Sequence, residues 1–274
     1  MPAGSKVVVQ WHEMFKNRTN AGLAYVALSR SEQLNDIYIK GTLERDGIHA
    51  STDALEETNR LQAIFDQNVV KSYDRANEYW QISYLNVRSL NCHKNDVAKD
   101  NFLMSADVFS LGETHLEQGD EIHFDGFTGN FASHGKGKGV STFYSTECTM
   151  VNSIASEKYS GIHLRFAKFD GIFLYLSSGC DKEEILGHLE TWIVDSTPTF
   201  IMGDFNIDFF KGGKLVKALE NFGFEQLIKE ATRTSGYLID HIYVNKELMS
   251  LNVTTQIDSA YYSDHDIITI HIPK

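Results

Sequence analysis

The chain is poor in cysteine, proline and long apolar runs, and these shortages exclude several classes of protein. Its 274 residues include three cysteines and three prolines. Cys92, Cys148 and Cys180 form no C-x-x-C pair, which argues against a disulfide scaffold or a zinc site. No apolar run approaches the ~18 residues of a membrane helix, and residues 1–6 carry no apolar segment typical of a secretory signal. We therefore expect an intracellular protein without a membrane partner.

Positive charge is also scarce. The chain has 25 lysines and arginines against 37 aspartates and glutamates, for a net charge of -12. Nucleic-acid-binding proteins usually carry a basic surface, although divalent cations held by carboxylates would offset part of this charge locally. Residues 134–139, H-G-K-G-K-G, place Lys136 and Lys138 in a loop that could lie along a phosphate backbone. A solvated turn is the more common structure for such a segment.

The remaining composition is typical of a soluble globular protein, with 42% hydrophobic and 23% charged residues. We divide the chain into residues 1–65, a polar linker at residues 66–79, and a larger domain at residues 80–274. The first segment contains short strand candidates at residues 7–9 and 36–40. A rough helical pattern of apolar residues follows Ser51 in the same segment.

Residues 80–274 alternate short apolar runs with a few amphipathic stretches, which predicts two sheets flanked by helices. The predicted strands are residues 81–87, 107–111, 140–144, 162–169, 172–176, 199–202, 239–244 and 267–272. The predicted helices are residues 94–104, 182–194 and 211–222. This pattern is typical of an α/β sandwich.

The segment T-F-I-M-G-D-F-N-I-D, residues 199–208, is the most informative in the chain. A buried strand ends at Gly203, and Asp204 and Asn206 follow at a spacing that directs both side chains the same way. A carboxylate and an amide at the rim of a sheet can hold an attacking water and a phosphate oxygen. An ordinary turn rich in Asp and Asn explains the segment as well.

Other polar side chains stand near the ends of predicted strands. These are Asn86, Glu113, Tyr175, Asp240, Asp264 and His265. Each has an ordinary explanation when taken alone, such as a turn cap, a surface ion pair or a core histidine. Asp240 lies within an apolar run, where an unpaired charge would be costly. We interpret His115, His241 and Asp266 as structural residues.

Taken together and in order, these motifs resemble the endonuclease/exonuclease/phosphatase superfamily, which includes pancreatic DNase, apurinic/apyrimidinic endonucleases and the endonucleases of LINE-type retrotransposons. The motifs are L-N-V-R-S-L, G-E-T-H, L-Y-L, G-D-F-N, I-D-H-I and S-D-H. Residues 231–245, A-T-R-T-S-G-Y-L-I-D-H-I-Y-V-N, look most like the transposon endonucleases.

The resemblance implies a four-layered, DNase-like α/β sandwich of two mixed sheets and Mg²⁺-dependent hydrolysis of DNA phosphodiester bonds, with Mn²⁺ as a possible substitute. It implies that Glu113 is the main metal ligand, assisted by Asn86 and Asp264. It further implies that Asp204 orients or deprotonates water, Asn206 holds the phosphate, Tyr175 donates to it, and His265, polarised by Asp240, lies on it. Lys136 and Lys138 would contact the substrate.

The chain departs from the superfamily pattern in two places. Leu176 and Ser177 replace a proline-containing turn after the middle-strand tyrosine, which affects the expected aim of Tyr175. Arg88 stands where repair enzymes carry an aspartate, as in many transposon forms. The second departure weakens a further metal contact and argues against dedicated abasic-site repair.

A second resemblance concerns the first segment. Residues 24–31, A-Y-V-A-L-S-R-S, are similar to the last conserved motif of superfamily-1 DNA helicases of the RecD/Pif type, and the flanking residues are similar to the end of Helitron-class helicases. Arg30 matches the arginine that contacts the ATP γ-phosphate in that family. The chain has no G-x-x-x-x-G-K-[ST] loop, so Arg30 has no nucleotide to act on within it.

Three hypotheses follow from these features. The first is a metal-dependent DNA endonuclease from a Helitron-like or LINE-like mobile element, nuclear in location, with a helicase core or other transposase segments upstream. The second is a phosphoesterase of the same superfamily that acts on inositol phosphates or lipids. The third is an inactive relic of a transposon, although every motif residue named above is intact.

Overall fold

The computed structural model describes residues 7–10, 37–40, 78–117, 119–134 and 138–274. The chain divides into two units, Met1–Lys71 and Ser72–Lys274. In the first, β1 (Val7–Gln10) pairs in parallel with β2 (Ile37–Lys40), which confirms the two short strands predicted there. Arg30, the helical pattern after Ser51 and linker residues 66–77 lie outside the described residues.

The described part of the second unit is built from two six-stranded sheets and short helices. The strands are β3 (Tyr79–Asn86), β4 (Val108–Gly112), β5 (Thr128–Ala132), β6 (Val140–Tyr144), β7 (Thr149–Ala155), β8 (Tyr159–Arg165), β9 (Asp170–Leu176), β10 (Thr199–Asp204), β11 (Phe224–Gln226), β12 (Asp240–Asn245), β13 (Thr254–Ser259) and β14 (Asp266–Pro273). The helices are α1 (Leu90–Val97), α2 (Asn101–Met104), α3 (Lys182–Trp192), α4 (Lys214–Asn221) and α5 (Lys246–Met249), with a 3-10 turn at Phe209–Lys211.

Both sheets are mixed. The first has the strand order β11–β12–β10–β9–β8–β7, and the second has the order β13–β14–β3–β4–β6–β5. The pairs β9–β10 and β3–β4 run parallel, and the other neighbours run antiparallel. A parallel pair brings two carboxyl ends to the same edge of a sheet, and each sheet contains one such pair.

Three buried clusters define four layers. The largest fills the space between the sheets with side chains such as Ile82, Phe173, Phe200 and Ile270. A second cluster packs α1 and α2 against the outer face of the β3–β4 sheet. A third packs α3 and α4 against the outer face of the β9–β10 sheet. The expected four-layered, DNase-like sandwich of two mixed sheets flanked by helices is therefore confirmed.

The sequence predicted the inner strands and missed the edges. Each of the eight predicted strands overlaps a strand of the structure, and the four that were missed are β5, β7, β11 and β13. These four are the outermost strands of the two sheets. Most residues of β7 and β13 are exposed or half-buried. An edge strand lacks a neighbour on one side and need not carry an apolar run, so the strongest strand signal is absent.

The helical predictions need correction. The single helix predicted at residues 94–104 is two helices, because the carboxylate of Asp100 accepts hydrogen bonds from the backbone N–H of Phe102 and Leu103 and begins α2. The helix predicted at residues 211–222 begins only at Lys214, after a 3-10 turn and Gly212. In the described part of the chain, no helix has the length and apolar character needed to cross a membrane.

Two glycines next to the predicted site allow close backbone approaches. Gly203 has φ 154°, and a Cβ there would lie 1.9 Å from the carbonyl oxygen of Leu174 on β9. A Cβ on Gly112 would lie 1.9 Å from the hydroxyl oxygen of Tyr84 on β3. Packing therefore requires both glycines, and the positive φ of Gly203 is a second reason for glycine at that position.

Candidate active site

The predicted polar residues meet where the two sheets adjoin. Asn86 ends β3, Asp204 ends β10, and Glu113 directly follows β4. Asp204 is paired in register with Tyr175 on β9 and with Asp240 on β12. Strand pairing thus places one aromatic hydroxyl and several carboxyl groups side by side.

Asn86 joins the two sheets. Its Nδ2 donates to Oε2 of Glu113 at 2.9 Å and to Oδ2 of Asp204 at 2.8 Å, while its Oδ1 accepts from the backbone N–H of Arg88 at 3.0 Å. Glu113 and Arg88 both have positive φ, 53° and 56°, so each follows its strand in a tight turn. The amide is 1% exposed, and two carboxylates from different sheets converge on it.

Asn206 is fixed by Asp204 and by the end of β9. Its backbone N–H donates to Oδ1 of Asp204 at 2.8 Å, and its Nδ2 donates to the carbonyl oxygen of Leu176 at 2.8 Å. Its φ of 49° allows the chain to turn back on the carboxylate. The two side chains are adjacent as predicted, but a left-handed turn brings them together rather than the alternation of an extended strand.

Tyr175 faces the same carboxyl groups despite the missing proline turn. The side chain is 6% exposed. Burial, followed by the negative charges of Glu113 and Asp204, raises the pKa of its phenol well above the usual value. A neutral phenol can donate a hydrogen bond, and this is the role that the resemblance implied.

Asp240 and His265 form a buried pair. The Nδ1 of His265 lies 2.9 Å and 3.1 Å from the two carboxylate oxygens of Asp240. The hydroxyl of Thr232 donates to Oδ2 of Asp240 at 2.8 Å and accepts from the backbone N–H of Asp240 at 3.1 Å. Asp240 and Thr232 are fully buried. The carboxylate thus fixes the imidazole and leaves Nε2 for a substrate.

The surroundings of the site raise the pKa values of both His265 and Asp204. Burial opposes a charged imidazole, but the charge and hydrogen bond of Asp240, with the charges of Asp204 and Asp264, raise the pKa of His265 to about 9. Burial and the charge of Asp240 raise the pKa of Asp204 to about 7. At slightly alkaline pH, Asp204 is ionised and His265 is protonated, which suits a base and an acid.

Asp264 is held by two arginines. Arg233 donates from Nε and Nη2 to Oδ2 of Asp264 at 3.0 Å and 2.8 Å, and Nη1 of Arg88 lies 3.4 Å from Oδ1. Although burial opposes it, the hydrogen bonds of Arg233 and the nearby positive charges hold the pKa of Asp264 below its usual range. This carboxylate is paired with two cations, and its Oδ1 accepts no hydrogen bond from any residue that the structure describes. Its assignment as a metal ligand remains a prediction.

Several supporting residues were not identified from the sequence. Ser263 donates from its hydroxyl to the carbonyl oxygen of Asn86 at 2.7 Å and accepts from the backbone N–H of His265 at 3.1 Å. It therefore links the end of β3 to the loop that carries His265. Thr232 and Arg233 lie in the 231–245 motif. The partner of Thr232 is Asp240 in the same motif, and the partner of Arg233 is Asp264, 31 residues away. Only the short S-D-H spacing could have indicated the role of Ser263.

The structure shows the contacts of His115 and His241 and of part of the lysine loop. His241 is fully buried, with Nδ1 3.2 Å from the Tyr243 hydroxyl and Nε2 3.1 Å from the Leu238 carbonyl oxygen. It is a core residue, as expected. His115 lies beside the site, with Nε2 3.5 Å from Oε1 of Glu113. Its backbone N–H donates to the carbonyl oxygen of Lys138 at 3.2 Å, and Lys136 lies outside the described residues.

The donor set fits a hard divalent cation. Carboxylate oxygens of Glu113 and Asp204 both lie within 3 Å of the Asn86 amide. The Glu113 side chain is 28% exposed, which leaves room for water ligands. Asp204, Asp240 and His265 also place donor atoms within 4.8 Å of one another. His265 would have to lose its proton to bind a cation there.

Comparisons with known proteins agree with this architecture. Residues 83–265 match the sequence profile of the Endonuclease/Exonuclease/phosphatase family. The endonuclease domain of TRAS1, a telomere-specific non-LTR retrotransposon, has a TM-score of 0.56 at 13% identity, over 71% of this chain and 98% of that one. An AP endonuclease from Archaeoglobus fulgidus has a TM-score of 0.57 at 16% identity, over 70% of this chain and 98% of that one.

A third structure of the same fold contains DNA. It is a 3′ phosphatase, NExo, from Neisseria, bound to a product DNA hairpin, with a TM-score of 0.54 at 16% identity, over 70% of this chain and 99% of that one. At these identities the likeness concerns the fold. No curated protein sequence matches the chain.

Proposed function

The chain belongs to the endonuclease/exonuclease/phosphatase family, and from that premise we propose that it hydrolyses phosphodiester bonds of DNA with a divalent cation, Mg²⁺ or Mn²⁺. One observation carries the proposal. Asn86 connects the carboxylates of Glu113 and Asp204, and Asp204 is paired in register with Asp240, which holds His265. The proposed cation ligand and base are thus joined through Asn86, and the proposed imidazolium is held by the residue that faces this base on the neighbouring strand.

The cation would be held by Glu113 and Asn86. When bound, it would stabilise negative charge on the phosphate and increase the acidity of a coordinated water. To bind the cation through its carbonyl oxygen, Asn86 would have to give up the hydrogen bond from Nδ2 to Glu113 and the one that Oδ1 accepts from the backbone N–H of Arg88. Asp264 is proposed to assist through Arg88 and Arg233, whose charges it positions beside the site.

Asp204 is proposed to orient the attacking water and accept its proton. Its pKa of about 7 is matched to this task because a base is most effective when its pKa lies near the working pH. Asn206 and Tyr175 would donate hydrogen bonds to phosphate oxygens. His265, charged at neutral pH, would stabilise the pentavalent transition state through Nε2, and removing such a donor typically costs about 10²–10³ in rate.

The test is nicking of supercoiled plasmid DNA. We expect Mg²⁺ or Mn²⁺ to support conversion to open circles and a chelator to stop it. Glu113→Ala and His265→Ala should abolish nicking, while Glu121→Ala, which removes an exposed carboxylate, should not. Equal nicking by the Glu113→Ala variant would refute the assignment. Release of phosphate from inositol polyphosphates without nicking would favour the phosphoesterase alternative.

We further propose that the chain derives from a mobile element. Residues 231–245 support this origin through their likeness to transposon endonucleases, and the motif around Arg30 supports a helicase remnant at residues 1–65. The remnant lacks a phosphate-binding loop, so purified protein should hydrolyse no ATP with or without single-stranded DNA. Measurable DNA-stimulated ATP hydrolysis would contradict this part of the proposal.

A further inference from the structure

Exposed aromatic side chains occupy two loops that border the candidate active site. Phe210 is 61% exposed and Tyr237 is 43% exposed. Phe210 lies in the 3-10 turn Phe209–Lys211, shortly after Asp204, and Tyr237 lies shortly before Asp240. Single exposed apolar side chains are common on protein surfaces, so what distinguishes these two is their position on adjoining loops next to the site.

The two loops are joined to each other. The backbone N–H of Phe205 donates to the carbonyl oxygen of Ile239 at 2.9 Å, and that of Phe209 donates to the carbonyl oxygen of Leu238 at 2.9 Å. The Nζ of Lys211 lies 4.7 Å from the centroid of the Tyr237 ring. Backbone hydrogen bonds therefore join the loop that carries Phe210, after β10, to the loop that carries Tyr237, before β12.

Tyr237 is also fixed to the groups that support the site. Its carbonyl oxygen accepts from the backbone N–H of Thr232 at 3.0 Å and of Arg233 at 3.2 Å. Gly236, with φ 83°, closes the turn by donating to the carbonyl oxygen of Arg233 at 2.8 Å. Thr232 holds Asp240 and Arg233 holds Asp264. The backbone of Tyr237 is thus fixed by the same turn that holds Asp240 and Asp264.

Positive charge accompanies the aromatic groups. The Lys211 side chain is 70% exposed, with Nζ 3.6 Å from Oδ2 of Asp208. The Arg233 side chain, paired with Asp264, is 37% exposed, on a chain whose net charge is -12. Aromatic faces beside cations suit single-stranded nucleic acid, because bases stack on the rings and phosphates pair with the cations. In a fully paired duplex the faces of the bases are already stacked and are not available.

We propose that Phe210, Lys211 and Tyr237 form a stacking platform for unpaired nucleotides next to the scissile phosphate. The substrate class would then be DNA that is single-stranded, gapped or frayed at the cleavage position. The inference rests on the proposed nuclease function, which supplies the phosphate position. It adds a specificity subsite to the cation and proton-transfer groups already assigned.

The experiment is a binding titration by fluorescence anisotropy in the presence of EDTA, so that no cleavage occurs. The probes are a fluorescein-labelled single strand and the same strand in a blunt duplex. Phe210→Ala and Tyr237→Ala should each weaken single-strand binding by about 10-fold and duplex binding by less than about 2-fold. Phe210→Trp and Tyr237→Phe should retain single-strand binding, because they keep the aromatic face.

Two further variants complete the test. Phe222→Ala removes an aromatic side chain that is 39% exposed at the end of α4 and should change neither affinity. Lys211→Gln should make single-strand binding less salt-dependent, by about one phosphate contact. Equal losses on both probes, or no loss from either alanine substitution, would overturn the platform.

The two proposals can fail separately. Metal-dependent nicking combined with unchanged single-strand binding in both alanine variants would retain the nuclease and reject the platform. Selective loss of single-strand binding in those variants, with no cleavage of any DNA by the wild-type protein, would retain the platform and reject the nuclease.

Discussion

Replacing Asp240 with asparagine should move the pH dependence of catalysis rather than simply reduce activity. Asp240 raises the pKa of His265 to about 9 and contributes to raising that of Asp204 to about 7. Without this charge, burial dominates at His265, and its pKa should fall to 6.5 or below. The pKa of Asp204 should fall at the same time. Both limbs of a bell-shaped profile of kcat/KM should therefore shift to lower pH.

The magnitude follows from the protonated fraction of His265. At about pH 8, a pKa of about 9 leaves roughly 90% of the imidazole charged, whereas a pKa of 6.5 leaves about 3%. Protonation alone then predicts a loss of about 30-fold at pH 8 and a much smaller loss near pH 6. Because the charges of Asp204 and His265 interact, the two limbs belong to this pair rather than to single residues.

The assay is initial-rate plasmid nicking between about pH 5 and pH 10 with saturating cation. Asp170→Asn is the matched control, because Asp170 is 2% exposed and pairs with His163 at 3.0 Å at the start of β9, away from Asp204. It should reduce stability and leave the profile in place. The reasoning is refuted if Asp240→Asn lowers the rate by the same factor at every pH, which would indicate only structural damage.

Three other predictions concern the cation site, packing and acid stability. Glu113→Ala should abolish cation affinity measured by calorimetry and reduce nicking on the order of 10²–10³-fold or more, whereas Glu121→Ala should do neither. Gly112→Ala should lower the free energy of unfolding by about 1–3 kcal/mol in urea, because its Cβ would lie 1.9 Å from the Tyr84 hydroxyl. Adding Tyr84→Phe in the same chain should recover part of that loss. No recovery would contradict the assigned clash. Burial lowers the pKa of His241 to about 4, so stability should be fully present above pH 6.5 and fall by up to about 3 kcal/mol as the pH drops toward 4. Replacing His241 with glutamine should remove that slope, and an unchanged slope would contradict this origin.

The sequence predicted the strands of the candidate site better than the outer strands of the fold. The strands that carry Asn86, Tyr175, Asp204 and Asp240 are inner, mostly buried strands, and each contains a short apolar run that the sequence pattern detects. The edge strands lack that constraint, and local pattern does not identify them. Asp100 ends one predicted helix and starts another through a side-chain cap, which apolar periodicity does not register.

Partners across long sequence separations were the main limit for the site. The sequence identified the S-D-H motif that contains Ser263 and Asp264. It could not predict that Arg88 and Arg233, from two other turns, pair with Asp264. The sequence likewise did not predict that Thr232 bonds to Asp240, because this contact depends on the conformation of the turn at residues 232–238. Such contacts are set by tertiary packing, so residue identity alone could not assign them.

Anomalous scattering from Mn²⁺ in crystals grown with a short DNA strand would test the central claim most directly. We expect one strong peak beside the Glu113 carboxylate and the Asn86 amide, with a DNA phosphate between that peak and the His265 imidazole. A cation bound instead among Asp204, Asp240 and His265, or a phosphate distant from both Glu113 and His265, would contradict the proposed site.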